Sequence, residues 1–169
     1  MEPLYFIGFM GVGKTTIGKR LGEVLNLPVV DMDSYIEENE GTTIKEIFNH
    51  HGESYFRDLE SEALMKLSGT PAIITTGGGV VEREENRQLL RGKHQVFHLT
   101  CPFDVLWSRL EGDENRPLVQ KNSKERLSSL YNRRLPLYES CNGFDIETKD
   151  QTVEEVVQSI LHNLKGRAE

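Results

Sequence analysis

Gly8-Phe9-Met10-Gly11-Val12-Gly13-Lys14-Thr15 fits the pattern G-x-x-x-x-G-K-[ST], the phosphate-binding P-loop. Gly8, Gly11 and Gly13 remove the side chains that would block tight turns and close approach of backbone N–H groups to phosphate oxygens. Lys14 brings a mobile cation to the β- and γ-phosphates, and the Thr15 hydroxyl can hold Mg²⁺. The flanks agree with this reading. Leu4-Tyr5-Phe6-Ile7 reads as a short buried strand feeding the loop. Ile17, Leu21, Val24 and Leu25 then recur at helical spacing, so the loop ends on a helix N-terminus, where the backbone dipole favours anions.

Working outward, strand and helix alternate. Candidate strands lie at 4–8, 28–31, 72–76, 95–99 and 144–147, each short and apolar or β-branched, as buried parallel strands are. The expected fold class is α/β: a parallel sheet covered by helices on both faces, in one domain over 1–169. In the last helix Thr152 and Glu155 have capping-box spacing, and Val153, Val156, Val157, Ile160, Leu161 and Leu164 form one apolar stripe read as core. Two segments break the alternation. Residues 33–67 read as a helical insertion between the second and third strands. Residues 111–123, polar and without apolar periodicity, have the length and character of a closing lid with Arg116-Pro117 at its middle.

Composition narrows the function classes. A net charge of −7 argues against nonspecific binding to nucleic acid or acidic membranes, while Arg109, Arg116, Arg126, Arg133 and Arg134 group in the second half. Cys101 and Cys141 are too few and too far apart for a disulfide framework and read as reduced thiols of a cytosolic protein. No basic leader with an apolar core and no spanning-length apolar run is expected. The five histidines lack metal-ligand spacing.

Several residues could carry chemistry. Asp31-Met32-Asp33 follows the second strand, and strand alternation would put both carboxylates on one side at the C-terminal edge of the sheet. One could organise Mg²⁺ through water and the other accept a proton from an attacking hydroxyl. The lesser alternative for Asp33 is a helix N-cap, a role that Ser34 also suits, with Glu37 completing a box with Ser34. Gly77-Gly78-Gly79 closes the third strand, either as a flexible turn or as backbone that a ligand approaches. Arg57 and Glu60 form an i,i+3 pair that is either an exposed ion pair or an arginine oriented for bidentate grip on a carboxylate. Arg134 lies just before Pro136, where a helix is expected to end or bend, and can serve the dipole or an anion. Arg116 is either solvated charge or a cover for the γ-phosphate.

The P-loop, D-x-D, Gly-Glu-x-x-Phe-Arg-x-x-Glu at 52–60, the triple glycine, Arg-Pro-Leu at 116–118 and Arg-x-Pro-Leu-Tyr at 134–138 occur in one order. Together they resemble the shikimate kinase family, over nearly the whole chain. The resemblance implies a three-layer α/β/α P-loop kinase fold with a five-stranded parallel sheet, a substrate-binding insertion at 33–61 and a mobile lid. It implies phosphorylation of the 3-hydroxyl of shikimate by ATP with Mg²⁺, in chorismate and aromatic amino acid biosynthesis, by a cytoplasmic monomer without nucleic-acid or membrane partners. Gly11, Val12, Gly13, Lys14, Thr15 and Thr16 would cradle ATP, with Thr15 and Asp31 at Mg²⁺. Asp33 would be the base and contact the shikimate hydroxyls. Arg57, Gly78, Gly79 and Arg134 would line the shikimate pocket, and Arg57 and Arg134 would hold its carboxylate. Lys14 and Arg116 would supply charge to the transferring phosphoryl group. Arg109 would stack on adenine and Gln151 would make a last adenine-side contact.

Rival readings are a gluconate or nucleoside monophosphate kinase of the same architecture, a GTP-driven switch, and an inactive nucleotide-binding module. The switch lacks its sequence marks: no Lys follows an Asn, and no Asp has Gly three residues on. The presence of Lys14, Thr15, Asp31, Asp33 and Arg116 together argues against the inactive module.

Overall fold

The apolar segments of the sequence become the sheet. The computed structural model describes residues 2–93, 95–111 and 123–166. Among these, β1 (Leu4–Ile7), β2 (Val29–Asp31), β3 (Ile73–Thr75), β4 (Val96–Thr100) and β5 (Phe144–Glu147) pair in parallel in the order β2-β3-β1-β4-β5. The expected strands 4–8, 28–31, 72–76, 95–99 and 144–147 are these five, shifted by a residue at some ends. All of β1 is buried, which places the P-loop at the centre of the sheet's C-terminal edge, where open α/β sheets take ligands.

Helix α1 (Lys14–Leu25) covers one face. Gly18 and Gly22 lie against the sheet: a Cβ on Gly18 would stand 2.6 Å from Thr75 Cγ2, and one on Gly22 would run into Val29. These glycines serve close packing, which draws the loop's helix down onto β1 and β3. The last helix, α7 (Val153–Lys165), packs beside α1 and begins with the expected capping box. The Thr152 amide donates to Glu155 at 2.6 Å, and the Glu155 amide donates to the Thr152 hydroxyl at 3.2 Å. Val156, Val157 and Ile160 are fully buried, but Val153 is exposed and stands outside the stripe assigned to it.

Phe6 faces α1, and the register sets Ile7 beside His98 on the opposite face. There the His98 ring stacks on Tyr138 of α6 (Lys124–Glu139) at 5.2 Å between centroids. Of the two outcomes expected at Pro136, an end or a bend, the first does not occur: α6 runs on to Glu139. Proline removes one backbone donor, and the residue that would have received it, Asn132, is exposed. Helices α4 (Glu84–Arg91) and α5 (Phe103–Leu110) complete the described set with the insertion helices.

The insertion is α2 (Met32–Glu40) and α3 (Ile44–Leu67). Residue 52 takes φ 83°, ψ 174°, a break inside α3 that glycine adopts without a Cβ penalty. Phe48 and Phe56 pack across the break at 5.0 Å between ring centroids. The second half of α3 is thereby re-aimed and carries Arg57 and Glu60 toward the sheet edge. Of the expected lid, residues 112–122 lie outside the described residues, and Arg116 with them.

Candidate active site

The nucleotide end of the site is built by β1, the loop and α1. Gly11 and Gly13 have φ of 80° and 104°, and Gly13 is the N-cap of α1 with no capping side chain and no acid in the first turn. Side chains cap α2, α3, α6 and α7 through Asp31, Thr43, Ser123 and Thr152. A helix start with no side-chain cap and no acid in its first turn fits an anion. Lys14 is buried and folds back over the loop, its Nζ donating to Gly8 O at 2.5 Å and Phe9 O at 3.1 Å. Val12 is buried beneath the loop, while Thr15 and Thr16 are exposed on α1. Arg109, exposed near the end of α5, donates to Gly11 O at 3.2 Å and so rims the loop. Gln151 is exposed on the turn between β5 and α7, its amide donating to Thr148 O.

The carboxylates after β2 are arranged by a helix start rather than by strand alternation. The strand stops at Asp31 and α2 begins at Met32. Asp31 is the N-cap, not Asp33: Asp31 Oδ2 accepts from the Ser34 amide and hydroxyl, both at 3.1 Å. Its Oδ1 accepts from the Thr75 hydroxyl at 2.8 Å. The alternative reading of a Ser34–Glu37 box is not what forms: Glu37 accepts from the Ile44 amide at 2.9 Å, joining α2 to α3. Asp33, released from capping, turns inward to Gly77. Burial pushes its carboxyl up to about 6, reinforced by Asp31 and opposed by Lys14.

The three glycines after β3 each make room for a different side chain. A Cβ on Gly77 would lie 2.9 Å from Asp33 Oδ1 and 3.2 Å from Glu60 Oε2. On Gly78 it would lie 3.4 Å from Arg134 Nη1, 3.5 Å from the Met10 amide nitrogen and 3.7 Å from the Tyr138 hydroxyl. On Gly79 it would fall inside the Arg57 guanidinium. None of the three has positive φ, so space, not backbone freedom, is what they supply. This glycine floor joins the phosphate loop, through Met10, to a ring of Asp33, Arg57, Glu60 and Arg134.

Within that ring Arg57 is tightly held. Its Nη1 donates to Glu60 at 2.8 Å, its Nη2 reaches Glu53 at 3.4 Å, and its Nε is buried without a partner. Glu60 is 1% exposed, so the pair is no ordinary surface ion pair. Burial pushes the Glu60 carboxyl up to about 7 against the pull of Arg57. Arg134, 4% exposed, donates from Nε to Glu82 at 2.7 Å. The Tyr138 hydroxyl donates to Gly78 O at 2.6 Å, and burial raises its pKa.

Of the residues singled out from sequence, Asp33, Arg57, Gly78, Gly79 and Arg134 meet at this floor, next to the loop of Gly11 to Thr16. Three further residues had no sequence signal of their own. Glu82 anchors Arg134, Thr75 holds Asp31, and His98 backs Tyr138 while its Nδ1 pairs with Asp145 at 2.9 Å. Burial depresses the His98 pKa, with Asp145 opposing. Tyr138 could have been found, since it ends the Arg-x-Pro-Leu-Tyr stretch.

A parallel sheet with a P-loop at its centre, and two arginines and an aspartate gathered over a glycine floor beside it, is the arrangement of a P-loop kinase of the small-molecule class. The comparisons with known proteins narrow this. The shikimate kinase profile matches residues 10–165. A shikimate kinase of Dictyoglomus turgidum is 44% identical, covering 97% of this chain and 98% of its own. Another, of Bacillus cytotoxicus, is 42% identical over 98% of this chain and 100% of its own. Among solved structures, shikimate kinase from Acinetobacter baumannii in complex with shikimate superposes with a TM-score of 0.91 at 35% identity, covering 99% of this chain and 94% of that one. This chain belongs to the shikimate kinase family.

Proposed function

We propose that this chain transfers the γ-phosphoryl group of ATP to the 3-hydroxyl of shikimate, giving shikimate 3-phosphate and ADP. Family membership supports the reaction, and one feature of this chain carries the assignment of residues: two arginines and an aspartate converge on a side-chain-free floor that also touches the phosphate loop. A small polyhydroxy carboxylate fits that set. Arg57 and Arg134 would take the carboxylate in charge-assisted pairs, and Asp33 with the backbone of Gly78 and Gly79 would take hydroxyls.

Asp33 would accept the proton of the attacking hydroxyl. A carboxyl pushed up to about 6 by burial is matched to proton transfer near neutral pH. Phosphoryl transfer needs positioning and charge stabilisation more than covalent chemistry. The α1 amides and Lys14 would hold the phosphates, and Arg116 would add charge from the lid. Mg²⁺ commonly relies on phosphates, water and one or two protein oxygens, and the Thr15 hydroxyl and Asp31 carboxylate are oxygen donors of that kind. Thr15 and, through water, Asp31 would hold it, and it would neutralise phosphate charge. Arg109 and Gln151 would lie toward adenine, and residues 33–61 would serve as the acceptor-binding part of one 1–169 domain.

We further propose that the protein acts as a cytoplasmic monomer without nucleic acid or membrane. The net charge of −7 argues against nonspecific contact with nucleic acid or acidic membranes, and no helix among the described residues is long and apolar enough to cross a membrane. The reaction is tested by ³¹P and ¹H NMR of the product from ATP, Mg²⁺ and shikimate. A phosphomonoester coupled to the proton on C3 is expected; a phosphate on another hydroxyl would contradict the placement of Asp33.

A further inference from the structure

Glu82 closes the 3₁₀ turn Val80–Glu82 that follows the triple glycine. Its carboxylate is wedged between two successive arginines of α6. Oε1 accepts from Arg134 Nε at 2.7 Å and from Arg133 Nη2 at 3.0 Å, while Oε2 accepts from Arg133 Nη1 at 2.8 Å. The turn itself is pinned from α4: Asn86, buried, donates to Val80 O at 2.9 Å, and Arg87 Nη1 donates to Val81 O at 2.6 Å and Glu82 O at 3.1 Å. So the acceptor that Arg134 uses is fixed to the scaffold and does not drift with a long side chain.

The choice of nitrogen matters. With Nε held by Glu82, the guanidinium plane and the long axis of Arg134 are set, and Nη1 lies over Gly78. With Nε taken by Glu82, the two η nitrogens are the pair left for a two-bond grip on a second carboxylate. A carboxylate beside an anion pocket would ordinarily weaken anion binding, but Arg133 offsets it: the cluster of Arg133, Glu82 and Arg134 keeps a net charge of about +1. We propose that Glu82 is a positioning residue for the acceptor. It fixes Arg134 so that its η edge faces the pocket, and Arg133 cancels the negative charge that this costs. The proposal rests on the reading of Arg134 as a shikimate carboxylate contact.

The test is steady-state kinetics on Glu82→Met, which keeps the length of the side chain and removes the acceptor, on Glu82→Gln, which keeps an acceptor for Nε, and on Arg134→Ala with and without Glu82→Met. Thermal melts and the KM for ATP report whether each variant is folded. Glu82→Met is expected to raise the shikimate KM about tenfold, comparable to the loss of one charge-assisted hydrogen bond, with kcat within about twofold and the ATP KM unchanged. Glu82→Gln is expected to recover most of that loss, and Glu82→Met is expected to add under about twofold once Arg134 is alanine. An unchanged shikimate KM in Glu82→Met, alongside a strong rise in Arg134→Ala, would overturn the role of Glu82 alone. An undiminished effect of Glu82→Met in the Arg134→Ala background would overturn it too, since Glu82 would then act through something else. An unchanged shikimate KM in Arg134→Ala would overturn the pocket reading and this inference with it.

Discussion

The Arg57 guanidinium occupies the place where residue 79 would carry its Cβ, so Gly79 is the condition for Arg57 to reach the glycine floor. Since the obstructing atoms would be the far end of a flexible side chain, the chain has a way to yield. Gly79→Ala should therefore fold, with Arg57 displaced from Glu60. We expect the shikimate KM to rise by about tenfold or more, as for loss of a charged partner, while the ATP KM stays unchanged. Kinetics beside a thermal melt check this. A normal shikimate KM would mean that Arg57 need not sit over Gly79.

Arg134 makes a second, independent approach to the same floor from α6. Removing it leaves the loop of Gly8 to Thr15 untouched. Arg134→Ala should raise the shikimate KM by about a hundredfold, in the range for truncating one partner of a buried charge pair, and leave ATP binding intact. Isothermal titration with each ligand separately distinguishes the two. Unchanged shikimate affinity would remove Arg134 from the pocket.

Asp33 combines function with a cost to the fold. Its carboxyl is pushed up to about 6 by burial, so the folded protein keeps a proton that the unfolded chain has already released at about 4. The stability carried by this group is present below about pH 4 and is lost as pH rises through about 6. Asp33→Asn should thus be more stable than the parent at pH 8, by about 3 kcal/mol and several degrees in Tm, with the gain gone at pH 4. Its kcat should fall by about a hundredfold or more. Denaturant melts at the two pH values, with turnover at pH 8, decide it. Near-normal turnover would leave Asp33 no role as base. In the parent, kcat/KM should rise with pH through about 6, the value to which Asp33 is pushed.

Gly18 tests the placement of the loop through packing. A Cβ there would stand 2.6 Å from Thr75 Cγ2, on the strand that leads to the glycine floor and beside the hydroxyl that holds Asp31. Gly18→Ala should cost about 1–3 kcal/mol by overpacking and lower Tm by about 2–10 °C. Calorimetry measures this. A melt as high as the parent's would mean that α1 can lift off the sheet without loss.

What could be read from the residues was whatever acts over short range. Leu4–Ile7 and Ile73–Thr75 are apolar runs too short for helices, and the loop glycines sit at fixed offsets from Lys14, so strands and phosphate loop were legible. Asp31 and Asp33 are legible as a pair, but not their geometry: Asp31 caps α2, so strand alternation stops there and does not extend the two residues to Asp33. Pro136 signals a helix end or bend locally, and α6 passes through it, with the acceptor that proline frees lying on an exposed residue. The triple glycine was legible as a place, not as a reason, since Asp33, Glu60, Arg134 and Arg57 approach it from 17 to 56 residues away in the chain. Glu82 left no trace at all, because its partners lie 51 and 52 residues further on.

The most direct measurement is ATP-dependent ADP release with Mg²⁺, compared across shikimate, gluconate, AMP and no acceptor. The structure's floor of glycines ringed by Arg57, Arg134 and Asp33 predicts strong stimulation by shikimate and background rates with the other three. Stimulation by gluconate or AMP in place of shikimate, or by none of them, would contradict the assignment of that pocket.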